Sequence, residues 1–167
     1  MHAVPSVAGL PKAGIFAELG QQLAGLIAGE RDGLANAANL TALIHEAMPA
    51  LNWAGFYFLR GGELILGPFQ GKVACVRIGL GKGVCGTAAL NRETVVVPDV
   101  HEFPGHIACD AASRSEIVVP LIQSGRLLGV LDLDSPEPGR FDHEDADGLE
   151  LLVRLLLEGS DFGRLAG

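Results

Sequence analysis

Aromatic residues are scarce in this sequence: one Trp, one Tyr and seven Phe make up 5% of 167 residues, so the core must be built from aliphatic side chains. Grouped cations are absent. Twelve Lys and Arg are dispersed among 20 Asp and Glu, for a net charge of −8. That leaves no basic stripe of the kind that neutralises phosphates, which argues against nucleic acid as the main partner. No apolar run approaches the roughly 20 residues needed to cross a bilayer, so no membrane span is expected. The N-terminal segment, Met1-His-Ala-Val-Pro-Ser-Val-Ala-Gly9, has no basic stretch leading into an apolar core. A signal peptide is therefore not expected, and the protein should be cytoplasmic. Cysteines number three, and no Cys-x-x-Cys occurs. In a reducing compartment such residues are expected as thiols, not as a structural disulfide framework.

What is present is organised by period. After a Pro-containing leader (about residues 1–11, expected to be loosely ordered), Leu19, Leu23, Leu26 and Ile27 recur at helical spacing, and the segment ends near Gly29. Leu34, Ala37, Leu40, Ile44 and Met48 mark a second amphipathic helix closed by Pro49. From Asn52 the period becomes two. Residues 53–59 and 63–66, separated by Arg60-Gly61-Gly62, read as a hairpin. Residues 67–71 are expected as a loop, followed by a strand around 74–78, a short helix over 85–91 and a short buried strand over 95–97. A second hairpin joins residues 117–122 to 126–134. The last helix has Asp142 as N-cap with Asp145 three residues on, and Leu149, Leu152, Val153 and Leu156 as its apolar face. Two helices, an antiparallel sheet with a cross-connection and a closing helix make a single α+β domain over residues 1–167, the sheet flanked by helices.

Reactive side chains are densest in Asp99-Val-His-Glu-Phe-Pro-Gly-His-Ile-Ala-Cys109-Asp-Ala-Ala-Ser-Arg-Ser-Glu116. Cys109 lies there between a Pro-Gly turn and a run of small and polar residues, with His101, His106 and several carboxylates nearby. A cysteine is most often a buried small hydrophobe, and that plain reading stays open for Cys75, in a strand, and Cys85, at a helix start. A helix N-terminus can also lower a thiol pKa, which keeps Cys85 a candidate. The Cys109 loop is too polar to bury comfortably, which points to function. Zinc finds no familiar ligand spacing among Cys75, Cys85, Cys109, His101 and His106, so no metal is expected. An acyl-transfer site would pair Cys109 with His101 or His106, but it needs an oxyanion hole that the sequence does not display. We do not read the glycines around Gly81 and Gly83 as a nucleotide loop. Thiols on separate elements beside acids suit redox chemistry best. One thiolate attacks and becomes a sulfenic acid, and a second thiol resolves it as a disulfide.

Strand geometry adds a patch of acids. Gln123-Ser124-Gly125 suits a three-residue hairpin loop. That register pairs Ile122 with Arg126, Pro120 with Leu128, Val118 with Val130 and Glu116 with Asp132. Side chains alternate along a strand, so Asp134 shares the face of Asp132. Three carboxylates would then crowd one patch beside Val118 and Val130, and at least one should keep its proton. The alternative is a solvated acidic patch at a sheet end.

Several strings carry a resemblance: Trp53-Ala-Gly-Phe-Tyr57, Leu66-Gly-Pro-Phe-Gln-Gly-Lys-Val-Ala-Cys75, Gly83-Val-Cys-Gly-Thr-Ala88, Gly105-His-Ile-Ala-Cys-Asp-Ala-Ala-Ser113, Ser115-Glu-Ile-Val-Val-Pro120 and Gly129-Val-Leu-Asp-Leu-Asp-Ser135. Together they resemble the free methionine-(R)-sulfoxide reductases, enzymes of the GAF fold, from about the second helix to the closing one. The resemblance implies Cys109 as nucleophile, Cys75 as its resolving partner and Cys85 as an auxiliary thiol. It implies Trp53, Tyr57, Glu116, Asp132 and Asp134 as pocket residues. The implied reaction reduces free L-methionine (R)-sulfoxide to L-methionine with no bound cofactor, thioredoxin regenerating the dithiol; a GAF-like helix pair could support a homodimer. The residues agree chemically. Thiolate attack on a sulfoxide needs a proton delivered to its oxygen, and carboxylates can hold the ammonium of a free amino acid. Trp53, whose plain role is core packing, could wall the S-methyl group beside Tyr57. The rival from another class is a GAF sensory module that binds a small ligand without turnover. Such modules normally sit beside an effector domain, and the chain ends shortly after its last helical pattern, which counts against that reading.

Overall fold

Helical periodicity at the two ends of the chain and a period of two between them resolve, among the described residues, into four α-helices around one sheet. The structure is a computed structural model describing residue 4, residues 6–107 and residues 110–165. In chain order the elements are α1 (Lys12–Ile27), α2 (Gly33–Ala47), β1 (Trp53–Arg60), β2 (Glu63–Gly71), β3 (Arg77–Gly79), α3 (Gly83–Asn91), β4 (Val95–Val97), a 3-10 turn (Val100–Glu102), β5 (Ser115–Gln123), β6 (Arg126–Ser135) and α4 (His143–Gly159).

The helices start and stop for local reasons. α1 buries Phe16, Leu19 and Leu23, spaced three and four apart on one face. In α2 the Asp32 carboxylate accepts the Ala35 N–H at 2.9 Å, and the helix stops just before Pro49. Leu34, expected on the apolar face of α2, is 47% exposed. Its neighbour Gly33 takes the inward position against Phe162, and the next residue turns about 100° away. α4 opens with a reciprocal capping box between Asp142 and Asp145, as their spacing suggested. Lys12 reaches both carboxylates, at 2.9 and 2.6 Å, and ties α1 to α4.

All strand pairs are antiparallel, in the order β3-β2-β1-β6-β5-β4. Alternation gives the sheet two unlike faces. Ala54, Phe56, Phe58, Ile117, Val119, Leu121, Leu131 and Leu133 pack with α1, α2 and α4 in the main core. Trp53, Tyr57, Val118 and Val130 point the other way and pack with α3 and the irregular connections.

The second hairpin differs from the expected register. Its turn has two residues, Ser124 and Gly125, with φ of 53° and 77°, the mirror-image turn that suits twisted strands. Gln123 therefore pairs with Arg126, and a bulge between Leu121 and Ile122 brings Leu121 opposite Gly129. Each feature shifts the pairing by one residue in the same direction. Glu116 thus faces Asp134, not Asp132, and Asp132 faces Val118. A shift of two preserves parity, so the acids stay on the face expected for them.

Residues 67–71 are not a loop but the second half of β2, with an irregularity opposite Gly55–Tyr57. Pro68 is accommodated there because a bulge releases its position from the hydrogen-bond ladder. The strand expected around 74–78 shrinks to β3, leaving Ala74 and Cys75 in an irregular segment. Gly81-Lys-Gly-Val-Cys-Gly86 spells the dinucleotide string Gly-x-Gly-x-x-Gly, yet it feeds α3 within an antiparallel sheet and not a βαβ unit. Its glycines serve packing and turning instead: Gly81 and Gly83 have φ of 78° and 59°, and a Cβ on Gly86 would collide with the Gly79 carbonyl.

Candidate functional site

On the second face of the sheet, lateral pairing sets the site residues in a row. Trp53 on β1 lies opposite Asp134 on β6, which lies opposite Glu116 on β5. One step along β6 in the same facing set is Asp132, opposite Gly55 and Val118. Gly55 has no side chain for a reason. A Cβ there would fall 2.5 Å from the Trp53 ring, so only glycine lets the indole lie along the sheet. The Trp53 ring stacks on Phe69 at 5.3 Å and Tyr57 at 6.0 Å, and its Nε1 donates to the Lys72 carbonyl at 3.0 Å. Tyr57 donates its hydroxyl to the Cys75 carbonyl at 3.0 Å. These bonds satisfy the polar ends of both rings, leaving a rigid aromatic wall.

A cavity lies between this wall and α3. Trp53, Tyr57, Cys85, Glu116, Asp132 and Asp134 all line it, together with Ala74, His106, Ile107, Asp110 and Ser113 from the connections. Glu116 is 5% exposed and Asp132 6% exposed. Burial pushes the Glu116 carboxyl up to about 8, the charge of Asp134 adds to that, and a hydrogen bond with Asp132 opposes it. Burial, then the charge of Glu116, raises Asp132 well above the ordinary carboxyl range. Asp134 is raised by burial and by Asp132. Proton retention in this patch therefore follows from desolvation and like charge together. Asp132 Oδ1 is buried and has no hydrogen-bond partner among the described residues.

Cys85 opens α3, where the helix N-terminus would favour a thiolate. The opposite holds. Burial, then the charges of Asp132, Glu116 and Asp134, drives its pKa well above the normal thiol value, so it is a neutral thiol bonded to Asp132. Cys75 is half-buried against the same cluster; its neighbour Ala74 lines the cavity. Cys109 and Ala108 lie outside the described residues. The residues on either side, Ile107 and Asp110, both line the cavity.

By sequence alone His106 stands only as a partner for Cys109 or as a zinc ligand with no familiar spacing. In the structure its Nε2 lies 3.6 Å from Glu116 Oε1, and burial lowers its pKa, so it meets the acid as a neutral ring. Asn52 was missed. Its Nδ2 donates to Asp110 Oδ2 and to Ser113 Oγ, both at 3.0 Å, and its N–H donates to the Asp134 carbonyl at 3.0 Å. Asp110 in turn is held below the usual carboxylate range by the Ala112 N–H first, then by Asn52, with Lys72 at 3.9 Å contributing. A hairpin-edge Asn gives no signal of this kind, because its partners are some sixty residues away in sequence (58 and 61).

Comparison with known proteins gives consistent results. The GAF domain family model matches residues 37–157. The free methionine-R-sulfoxide reductase of Escherichia coli is 52% identical over 145 residues, covering 87% of this chain and 88% of that protein. The free methionine-R-sulfoxide reductase of Saccharomyces cerevisiae is 49% identical over 155 residues, covering 88% and 86%. The X-ray structure of the Neisseria meningitidis free methionine-R-sulfoxide reductase in complex with its substrate superposes with a TM-score of 0.90 at 46% identity, covering 95% of each chain.

Proposed function

Because the chain belongs to the GAF-domain family and, within it, to the free methionine-R-sulfoxide reductases, we propose that it reduces free L-methionine (R)-sulfoxide to L-methionine in the cavity behind the sheet. The observation that carries this reading is the row Trp53–Asp134–Glu116, buried at both ends and half-buried at Asp134, with buried Asp132 beside it: a proton store set against an aromatic wall. The S-methyl group packs on Trp53 and Tyr57, where sulfur–aromatic contact is favourable. The substrate ammonium meets the carboxylates and completes the unpartnered Asp132 Oδ1.

Cys109 attacks the sulfoxide sulfur while a protonated carboxyl of the Glu116–Asp132 pair gives its proton to the oxygen. Two electrons pass from the cysteine sulfur to the methionine sulfur, the oxygen ends on Cys109 as a sulfenic acid, and methionine leaves. Cys75 then displaces that oxygen as water, forming a Cys75–Cys109 disulfide. Thioredoxin returns both sulfurs to thiols by taking up a disulfide itself. No bound cofactor enters the cycle, and the enzyme works in the cytoplasm, where such a dithiol reductant operates. No helix among the described residues is long and apolar enough to cross a membrane.

The thiols test this directly. Cys109→Ser abolishes turnover and also release of the first methionine. Cys75→Ser releases about one methionine per enzyme and then stalls as a sulfenic acid when thioredoxin is the reductant. Epimer-resolved chromatography of methionine sulfoxide reads the first outcome, and mass spectrometry of the stalled enzyme reads the second. Wild-type turnover by Cys109→Ser overturns the assignment, and ligand binding without any sulfoxide loss in the wild type returns the chain to the sensory reading.

A further inference from the structure

Cys85 has no step in the cycle above, yet it is a buried thiol among acids. Its Sγ, an oxygen of Glu116 and an oxygen of Asp132 all lie within 4.8 Å of one another, and all three residues are buried. They come from three separate elements, α3, β5 and β6. The fold assembles the cluster, and for that reason no ligand spacing announces it. Asp132 lines the cavity, is 6% exposed and leaves Oδ1 without a hydrogen-bond partner among the described residues. A buried acceptor with no donor is costly and calls for an occupant. His106 stands at the same cavity, its Nε2 3.6 Å from Glu116 Oε1.

The substrate ammonium answers the oxygen but not the sulfur, which is at best a weak acceptor. Hard cations such as magnesium and calcium take oxygen ligands and gain little from a thiolate. One thiolate with two carboxylates suits a divalent ion of borderline softness. Donors around a tetrahedral zinc, with bonds of about 2.0–2.3 Å, stand roughly 3–4 Å apart. Only a small closure of the cluster is needed to reach that. We propose that Cys85, Glu116 and Asp132 form a binding site for a zinc-class divalent cation, which takes the place of the substrate ammonium and so excludes free methionine sulfoxide. On binding, the Cys85 proton and any carboxyl proton pass to solvent. The ion carries no electrons in the reaction. Binding itself does not depend on the proposed activity; the competition with substrate rests on that reading.

Cobalt(II) is the probe, because a thiolate ligand gives it a charge-transfer absorption band. The full-length variant Cys75→Ser/Cys109→Ser retains Cys85 as its sole thiol, and under anaerobic conditions it should bind one cobalt with that band. Equimolar zinc(II) should bleach it. Adding Cys85→Ser should abolish the band, and adding Asp132→Asn instead should weaken cobalt affinity at least tenfold while the thiol remains. Free methionine (R)-sulfoxide should displace the cobalt. Absence of the band, or an unchanged affinity in the Asp132→Asn variant, overturns the site. A band that persists in saturating sulfoxide overturns the shared place. Sulfoxide loss by the metal-free wild type, measured separately, reports on the proposed activity alone.

Discussion

The two faces of this sheet are made by the same strands and could hardly differ more. On one face β1, β5 and β6 present Phe56, Phe58, Val119, Leu131 and Leu133 to three helices, and every one of these side chains is buried in apolar contact. On the other the same strands present Trp53, Glu116, Asp132 and Asp134 to a short helix and irregular connections. The first face stabilises the fold by removing apolar surface from water, about 25 cal/mol per Å². The second buries carboxyls whose raised pKa values show that the fold opposes their ionisation. Stability and chemistry are thus separated by one peptide plane, and alternation along a strand is what separates them.

Substitutions on adjacent residues of β6 should break this comparison most sharply. Asp132→Asn should lower kcat/KM by at least ~10², the low end for general acid catalysis, and raise the melting temperature, since it removes a buried acid that the fold holds unfavourably. Glu116→Gln and Asp134→Asn should act in the same direction. Leu133→Ala, one residue away and facing the helices, should cost about 2–5 kcal/mol of stability through its cavity while kcat/KM stays within a few-fold of wild type. Steady-state kinetics and thermal unfolding of the four variants read both quantities. If all three acid variants retain near-wild-type kcat/KM, the proton comes from elsewhere.

Substrate size comes next. An N-acetylated methionine sulfoxide carries a neutral amide where the free amino acid has an ammonium, so the buried acids lose their partner. A loss of the order of 2–5 kcal/mol in transition-state binding is expected, read as kcat/KM on free against acetylated substrate. Equal values would mean that the acids do not hold the ammonium.

The pH dependence of stability should show the same asymmetry at smaller scale. The Glu116 carboxyl is raised from 4.5 to about 8 in the folded protein. Between those values the unfolded chain has released the proton and the folded chain retains it, so folding takes up a proton and stability falls as pH rises. The fall begins above the unfolded value and ends near the folded one. In Glu116→Gln the decline across that window should be shallower, measured by denaturant unfolding from pH 5 to pH 8 without substrate. An identical slope would place the titration on other groups.

Much of this site was legible in the strands. Period two placed Glu116, Asp132 and Asp134 on one face, and the glycine pair in Arg60-Gly61-Gly62 marked the first hairpin; Asp142 and Asp145 marked the last helix. Register was less legible. Ser124 gives no hint of its positive φ, and beside the bulge Gly129 has no room for a Cβ because the Tyr57 carbonyl on β1, a distant strand, stands there. The face survived because two one-residue shifts add to an even number. Local pattern likewise could not show that β2 runs on through Gly67 and Pro68, since that continuation rests on residues 69–71 pairing with residues 53–55 of β1, and on a Phe58 ring lying where a Gly67 Cβ would be. The pairing of Cys85 with two acids and the reach of Asn52 to Asp110 depend wholly on tertiary assembly.

Asn52 supplies the smallest expected effect and the most specific one. It ties the start of β1 to Asp110 and Ser113, just beyond Cys109 in sequence, and its own N–H is tied to the carbonyl of Asp134. Its side chain therefore links the proposed nucleophile's segment to the strand that carries the acids. Removing it costs two hydrogen bonds, one of them to an ionised carboxylate. It also removes Asn52 Oδ1, a buried acceptor with no partner among the described residues, so the net loss in Asn52→Ala should be only about 1 kcal/mol. Asn52→Asp keeps the shape but sets a carboxylate where Nδ2 stood 3.0 Å from Asp110. Like charges at that distance should push the segment away or force a proton onto one acid. Asp should therefore be worse than Ala: about tenfold in kcat for Ala, more for Asp, with KM changed less than kcat in both because position 52 itself does not line the cavity. If Asp restores activity relative to Ala, shape alone matters at this position, and the hydrogen bond to Asp110 does not hold the loop.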